Sequence, residues 1–272
     1  MFDSLPFKLT LKTSWVGHPL LFIREVDSTN RLLRDQARKG AAQEGTVILT
    51  DHQVVGRGRR GRSWVTPPGS SLLFSTLLRP PIWTERHALL PIVTSVAVAR
   101  ALEKQLSLQP EIKWPNDILL AGRKCCGILI ESEWSGSGQP TVIVGIGLNV
   151  NQEEHDLAPL PTATSLRVAC GGVVIKRGAL FGTLLGELER AYDAFEAGWQ
   201  PHHAWRKRAI WLGEQIVIHP AQGEVWHGTA LDLAADGTLL VKRTDGKRVY
   251  LRAGDVSLRP YAETPLTPLT PR

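Results

Sequence analysis

The chain has 272 residues, 43% of them hydrophobic and 21% charged, enough for one large and one small domain with well-buried cores, which excludes a disordered or fibrous chain. Its longest apolar run, residues 88–102, is broken by Pro91, Thr94, Ser95 and Arg100 and is too short to span a bilayer, so no membrane association is expected. The net charge of +6 invites a polyanion, but the arginines concentrate in one loop, which suits a small anionic ligand better than a long nucleic acid.

In chain order, residues 20–26 read as a strand, and Asp27, Ser28 and Thr29 offer N-cap oxygens to a helix over 30–39 that Gly40 stops. Strand-like segments at 46–51 and 71–79 flank a loop rich in glycine and arginine. A helix over 85–106 carries Leu89, Leu90, Val93, Val96, Ala97, Leu102 and Leu106 toward one side. Strands at 111–114, 118–120, 127–134 and 141–149 follow in quick succession, with turns at 121–123 and 135–140. A meander beside helices predicts an α+β fold with a mainly antiparallel mixed sheet and flanking helices.

Residues 178–198 have helical periodicity through Leu180, Leu184, Leu188, Tyr192 and Phe195, and a shorter helix is expected at 202–209. Beyond that the texture changes to short strands with Asp-Gly turns at 236–237 and 245–246, the mark of a small β-barrel. The expected division is a domain at 1–209, a second at 210–261, and a disordered tail at 262–272, where Thr-Pro-Leu recurs.

The three cysteines fit neither a zinc spacing nor a disulfide framework, and adjacent Cys125 and Cys126 read as reduced packing residues. None of the eight histidines has a paired ligand spacing, so no structural zinc is expected. Residues 1–15 lack the apolar core of a signal peptide, which with the thiols points to the cytoplasm.

The most informative stretch is Gly56-Arg57-Gly58-Arg59-Arg60-Gly61-Arg62-Ser63-Trp64. Glycines let the backbone approach a ligand, and arginines supply permanently charged forks for phosphate and carboxylate oxygens. Taken alone, it reads more readily as a solvated basic loop or a nucleic-acid arm, since basic runs are often surface patches. Lys113-Trp114-Pro115-Asn116-Asp117 joins a strand end to a turn that Pro115 restricts; alone, this is a rigid turn with a buried tryptophan. Gly145-Ile146-Gly147-Leu148-Asn149 marks a bulge or a close backbone approach.

In their order along the chain, Asp27-Ser28-Thr29-Asn30, the glycine-arginine loop, Lys113 to Asp117, Gly122-Arg123-Lys124 with Gly127-Ile128-Leu129-Ile130-Glu131, and Gly145 to Asn151 resemble the biotin protein ligase family, over about residues 20–260. The resemblance implies a class II synthetase-like or biotin-lipoate ligase-like catalytic domain with an SH3-like C-terminal domain. It also implies an ATP-dependent ligase that activates biotin as biotinyl-5′-AMP and passes it to a lysine of a carboxylase's biotin carboxyl carrier domain. ATP and biotin are then substrates, with Mg²⁺ on the nucleotide and no tightly bound cofactor.

Such a reaction brings a carboxylate, a triphosphate and their leaving pyrophosphate into one pocket, so fixed cations are its main requirement. The resemblance assigns Lys124, Arg59 and Arg62 to that catalytic role. It places Arg57, Gly58 and Arg59 on the biotin and adenylate side, and Ser28, Thr29, Asn30 and Gln53 at the ureido ring. Gly127 and Ile128 would meet the thiophane and valeryl part, with Trp64 closing the lid. Lys113, Asn116, Arg59, Arg62 and Asn149 would contact the nucleotide, and Asp117 would serve as a magnesium or positioning group.

No helix-turn-helix fits before Asp27, so the monofunctional form without specific DNA binding is expected, and exposed strand edges could pair two subunits. Two competing readings stay open: a lipoate or octanoate ligase or transferase of the same superfamily, and a non-catalytic, basic nucleic-acid-binding protein.

Overall fold

Strands β1 (Leu20–Val26), β2 (Val47–Gln53), β3 (Ser71–Leu78), β4 (Glu111–Lys113), β5 (Asp117–Leu120), β6 (Arg123–Glu133) and β7 (Thr141–Asn149) build one sheet in the order β1-β2-β3-β7-β6-β5-β4. The β1–β2 pair is parallel and every other pair antiparallel, the mixed sheet expected from the meander. This computed structural model describes residues 3–80, 84–134, 139–253 and 256–261; residues 135–138 of the predicted turn and the tail 262–272 lie outside them. The chain divides into two units, Met1–Ile210 and Trp211–Arg272.

Helix α1 (Thr29–Arg38) covers one face of the seven-stranded sheet, and α2 (Leu90–Leu106) and α5 (Arg177–Glu196) cover the other. Adjacent strand residues point to opposite faces, and β3 shows both sides at once. Phe74 meets Phe181 of α5 edge-on, with ring centroids 5.0 Å apart. Its neighbour Ser75 turns the other way and bonds to Thr29 and Asn30 of α1. Beneath α1, Leu33, Ala37, Ile48, Leu77 and Ile143 form a dry cluster.

The sequence pattern missed several features. The expected helix over 85–106 begins as a 3-10 turn, Glu85–Leu89, and becomes α-helical only at Leu90, because Pro91 has no N–H to give and suits a helix's first turn. Ser28 holds the N-cap position of α1, but its side chain makes no capping hydrogen bond. Short helices α3 (Glu154–Leu157) and α4 (Leu166–Ala169) have too few turns for periodicity to reveal them. After α5 comes α6 (His202–Arg206).

The N-terminal segment is tied to α5. The Glu189 carboxylate accepts backbone N–H bonds from Ser14, Trp15 and Val16 at 2.8–3.0 Å. Gly178 leaves the space in which the Lys8 carbonyl rests against the helix.

In the second unit, β8 (Gln215–Pro220), β9 (Trp226–Leu233), β10 (Leu239–Arg243), β11 (Arg248–Leu251) and β12 (Val256–Pro260) form an antiparallel sheet in the order β11-β10-β9-β8-β12. Ile216, Ile218, Leu239 and Val241 are among its buried residues. The Asp-Gly turns fall where expected. Asp236 accepts bonds from Thr238, Asp245 accepts one from the Lys247 N–H, and Gly237 and Gly246 take φ of 83° and 84°.

Candidate active site

The α1 face of the sheet is bare of side chains at three points. Gly127 of β6 and Gly147 of β7 are direct cross-strand partners, and Gly145 lies two residues before Gly147 on the same face. The Trp64 indole lies on the first two: a Cβ at Gly147 would stand 2.7 Å from its ring and one at Gly127 2.9 Å. At Gly145 the space is taken by the Asn30 carboxamide, which a Cβ there would strike. None of the three has a positive φ, so glycine is needed here for room rather than for backbone conformation.

Lys124 reaches this floor through a β-bulge. Asp117 pairs with Gly127 and Ile118 with Cys126, but Leu119 pairs with Lys124, so Cys125 is the extra residue on β6. Strict alternation would point Lys124 to the same side as Cys126, away from Gly127; the bulge re-aims it. Its ammonium therefore stands 2.7 Å from Asp117 Oδ1 and 5.4 Å from the Trp64 ring centroid. Its backbone is held as well: the Lys124 N–H donates to Thr162 O and its carbonyl accepts from the Thr164 N–H, both at 2.8 Å.

The glycine-arginine loop folds as a small hairpin. Trp64 N–H donates to Gly56 O at 2.9 Å, Arg57 bridges Ser63, and Gly58 N–H donates to Arg62 O at 2.7 Å. Its tip turns through Arg60 and Gly61 at φ 59° and 71°, a left-handed pair that glycine accommodates without strain. Arg59 turns inward and donates to Asn116 Oδ1 at 2.9 Å, while Arg57, Arg60 and Arg62 are exposed. Burial pushes the Arg59 guanidinium below its usual pKa, against the opposing pull of Asp117, and the charges of Arg60 and Arg62 push the same way as burial.

Asn116 is the hinge of this corner. Its Nδ2 donates to Ile128 O at 2.6 Å and its own carbonyl accepts the Ile128 N–H at 3.0 Å, so the turn after Lys113 is fastened to β6. Lys113 is Asp117's register partner, which puts both on the site face.

At the far end, Gln53 Oε1 accepts from the Thr29 backbone N–H at 2.8 Å and lies 3.1 Å from its hydroxyl. Ser28, Thr29 and Asn30 are all buried, at the N-terminus of α1. Thr29, Asn30 and Gln53 thus gather polar groups at the Gly145 end of the glycine floor, while the Lys124 ammonium stands at its Gly127 end, and we call the run between them the groove.

Comparison with known proteins identifies the family. Residues 22–151 match the model of the biotin/lipoate A/B protein ligase family, and 212–259 match the biotin protein ligase C-terminal domain. The bifunctional ligase/repressor BirA of Bacillus subtilis is 33% identical over 252 residues, covering 91% of this chain and 76% of that protein. The chain belongs to the biotin protein ligase family.

Two further members of the biotin protein ligase family are similar over most of the chain. The biotin–[acetyl-CoA-carboxylase] ligase of Mycobacterium tuberculosis is 31% identical over 239 residues, covering 86% of each chain. The solved biotin protein ligase of Aquifex aeolicus, in complex with biotin and ATP, is 29% identical with a TM-score of 0.76, covering 89% of this chain and 99% of that one.

The fold brings together Lys124, Arg59, Asn116, Asp117, Lys113, Trp64 and Gly127 around one corner, and Ser28, Thr29, Asn30 and Gln53 at the other end. It does not bring everything together. Arg57 and Arg62 are exposed. Ile128 alternates to the opposite face from Gly127, so its side chain leaves the expected apolar contact to Trp64. Asn149 is buried, its Nδ2 donating to Thr164 O and its Oδ1 accepting from Gln152, so both polar atoms serve the protein rather than standing open toward an adenine. The Asn30 carboxamide is likewise engaged within the protein. Asp117 spends one oxygen on Lys124, which favours the positioning role over the magnesium one.

Sequence reading missed Ser75, whose hydroxyl joins Thr29 to Asn30; a lone serine in an apolar strand carries no motif. It also missed the 162–164 strap, a contact some forty residues from Lys124 in sequence. Cys125 and Cys126 are fully buried, and burial drives the Cys125 thiol up to about 12 and raises Cys126 as well, so they act as packing groups. No helix among the described residues is long and apolar enough to cross a membrane.

Proposed function

We propose that this chain activates biotin with ATP and transfers it to a specific lysine of a biotin carboxyl carrier domain of a carboxylase. The observation that carries this reading is the placement of Lys124 by the bulge, with its ammonium at the edge of the glycine floor beside Asp117. In the first step a biotin carboxylate oxygen bonds to the α-phosphorus of ATP and the bond to the β-phosphate oxygen breaks, releasing pyrophosphate. In the second, the acceptor amine attacks the acyl carbon, AMP departs with the bonding electrons, and the amine loses a proton.

Lys124 offsets the repulsion between carboxylate and α-phosphate as their oxygens approach, and Asp117 aims it. A fixed charge that needs no reorganisation is worth most in a site closed to water. Arg59, held by Asn116, supplies a second cation. Arg57 and Arg62 stand on the same hairpin, where a bound polyphosphate or acyl-adenylate would draw them in. Trp64 and the glycine floor take the apolar middle of the ligand, while Ser28, Thr29 and Gln53 read its polar head. Mg²⁺ enters with ATP, held mainly by the phosphates, as that ion usually is.

The polar end also weighs against lipoate or octanoate. Their apolar tails would leave unmet the bonding capacity that Ser28, Thr29 and Gln53 do not use within the protein, and sites built for hydrogen bonding reject such ligands strongly. The inward turn of Arg59 likewise favours a small ligand over a nucleic-acid strand. We place the protein in the cytoplasm and infer that it acts without specific DNA binding and pairs with a second copy.

The test is incubation of the protein with a carrier domain and ATP, with biotin, lipoate or octanoate as the acid, followed by intact-mass analysis of the carrier. Biotin should add to one lysine. Addition of lipoate or octanoate in its place would overturn the assignment.

A further inference from the structure

A line of hydrogen-bonded side chains runs from Thr29 to the Arg34–Glu131 ion pair between α1 and β6, and its acceptors decide where its protons lie. Glu131 accepts from Arg34 at 3.2 Å through Oε1, so its Oε2 meets Asn30 Nδ2 at 2.7 Å as an acceptor. Leu129 O, 3.3 Å from the same nitrogen, is also an acceptor. Two acceptors on one side fix the carboxamide, with Nδ2 toward β6 and Oδ1 toward Ser75. Gly145 leaves the notch in which that carboxamide lies.

The Ser75 hydroxyl is 2.6 Å from Asn30 Oδ1 and 2.7 Å from Thr29 Oγ1. It carries a single proton, and Asn30 Oδ1 can only accept, so the proton goes to Asn30. Ser75 then meets Thr29 as an acceptor, and the Thr29 proton turns inward to it. The other acceptor within reach, Gln53 Oε1, is farther away at 3.1 Å, and turning the proton to it would leave the Ser75 and Thr29 oxygens facing each other at 2.7 Å with no proton between them. What remains of the Thr29 hydroxyl is a pair of lone pairs.

We propose that Glu131, Asn30 and Ser75 are positioning residues that set the hydrogen-bond polarity of Thr29, making it an acceptor that selects a ligand head bearing an N–H. The inference rests on the biotin reading above, whose cyclic urea carries two such N–H groups, and extends it from which residues line the head pocket to why they choose. A neutral hydroxyl free to rotate would accept an oxygen in place of an N–H by donating to it. One whose proton is committed inward rejects that oxygen, because two acceptors then face each other.

The experiment compares biotin with its two cyclic-carbamate analogues, in which one or the other ureido N–H is replaced by oxygen, in ATP-dependent pyrophosphate release by the full chain. The wild type should discriminate against at least one analogue. Ser75→Ala frees the Thr29 proton and should raise KM for biotin about tenfold, the scale of one lost hydrogen bond, while leaving KM for ATP unchanged and narrowing the biotin-to-carbamate ratio. Ser75→Thr, which keeps the hydroxyl, should restore the ratio. Glu131→Gln removes the key without removing the chain, and should narrow the ratio even if Ser75→Ala does not fold. Equal losses for biotin and both carbamates in both variants would make the chain merely structural and overturn the proposal. A wild type that turns over no biotin at all would overturn the biotin reading first, and this inference with it.

Discussion

Lys124 and Asp117 come from different strands and meet at 2.7 Å because a bulge at Cys125 shifts their register by one residue. Without it, Lys124 would point to the same side as Cys126 and the pair would not form. This contact is the centre of the proposed site, and its removal should separate chemistry from folding. We predict that Lys124→Ala lowers single-turnover formation of the acyl-adenylate by about 10²–10³-fold, the loss usual for one pre-aimed electrostatic group. Labelled AMP trapped on the enzyme measures it, and near wild-type formation would remove Lys124 from its role.

Arg59 and Arg60 are neighbours with opposite fates. Arg59 is drawn inward to Asn116, whereas Arg60 sits exposed at the hairpin tip. Arg59→Ala should speed release of the adenylate tenfold or more, and Arg60→Ala should change it by less than about twofold, as surface substitutions rarely exceed 0.5 kcal/mol. Asn116→Ala should resemble Arg59→Ala and also lower the melting temperature, because it leaves Ile128 O without its donor. Adenylate dissociation rates for the three variants decide it.

Gly147 offers a test of the floor without backbone strain. Its φ is not positive, so alanine meets no backbone strain, yet its Cβ would stand 2.7 Å from Trp64. Gly147→Ala should displace the Trp64 indole and so weaken biotin binding, and it should also lower stability by about 1–3 kcal/mol, the usual cost of overpacking. Titration calorimetry alongside a thermal melt reads both. An unchanged biotin affinity would show that the Trp64 plate is not part of the ligand site.

The Glu189 carboxylate predicts an acid-sensitive anchor. Burial alone would raise its pKa, but the backbone N–H groups of Ser14, Trp15 and Val16 outweigh burial and hold it below the usual carboxyl value. A depressed folded pKa contributes stability above the unfolded value of about 4.3, and that contribution is lost as pH falls through the folded pKa. Glu189→Gln should therefore cost about 1–3 kcal/mol at pH 7, with the gap to wild type closing at low pH. Urea denaturation at both pH values checks the sign.

Long, periodic or punctuated features were legible in the sequence. The seven strands of the large sheet and helix α5 follow from apolar alternation and periodicity, and the turns of the second unit from Asp-Gly pairs. Lys124, Arg59 and Gln53 were named because their motifs recur in a family, but nothing local showed how they meet. The bulge depends on a one-residue difference between two strands that leaves no trace in either. Asn149 and Asn30 illustrate the same limit. Each stands in a motif that suggests ligand contact, while the partners that occupy them, Thr164 and Gln152 for one and Ser75 and Glu131 for the other, come from distant segments. Ser28 and Thr29 read as helix caps, yet Ser28 does not cap, and Thr29 is held by Gln53 and Ser75 from β2 and β3.

The most direct test of the account is pyrophosphate release by the purified protein with ATP and Mg²⁺, in the presence and absence of biotin. Release that requires biotin, leaves biotinyl-5′-AMP on the enzyme and is slowed about 10²–10³-fold by Lys124→Ala is the predicted result. Release without biotin, or none with it, would contradict the central claim that this groove joins a biotin carboxylate to the α-phosphate of ATP.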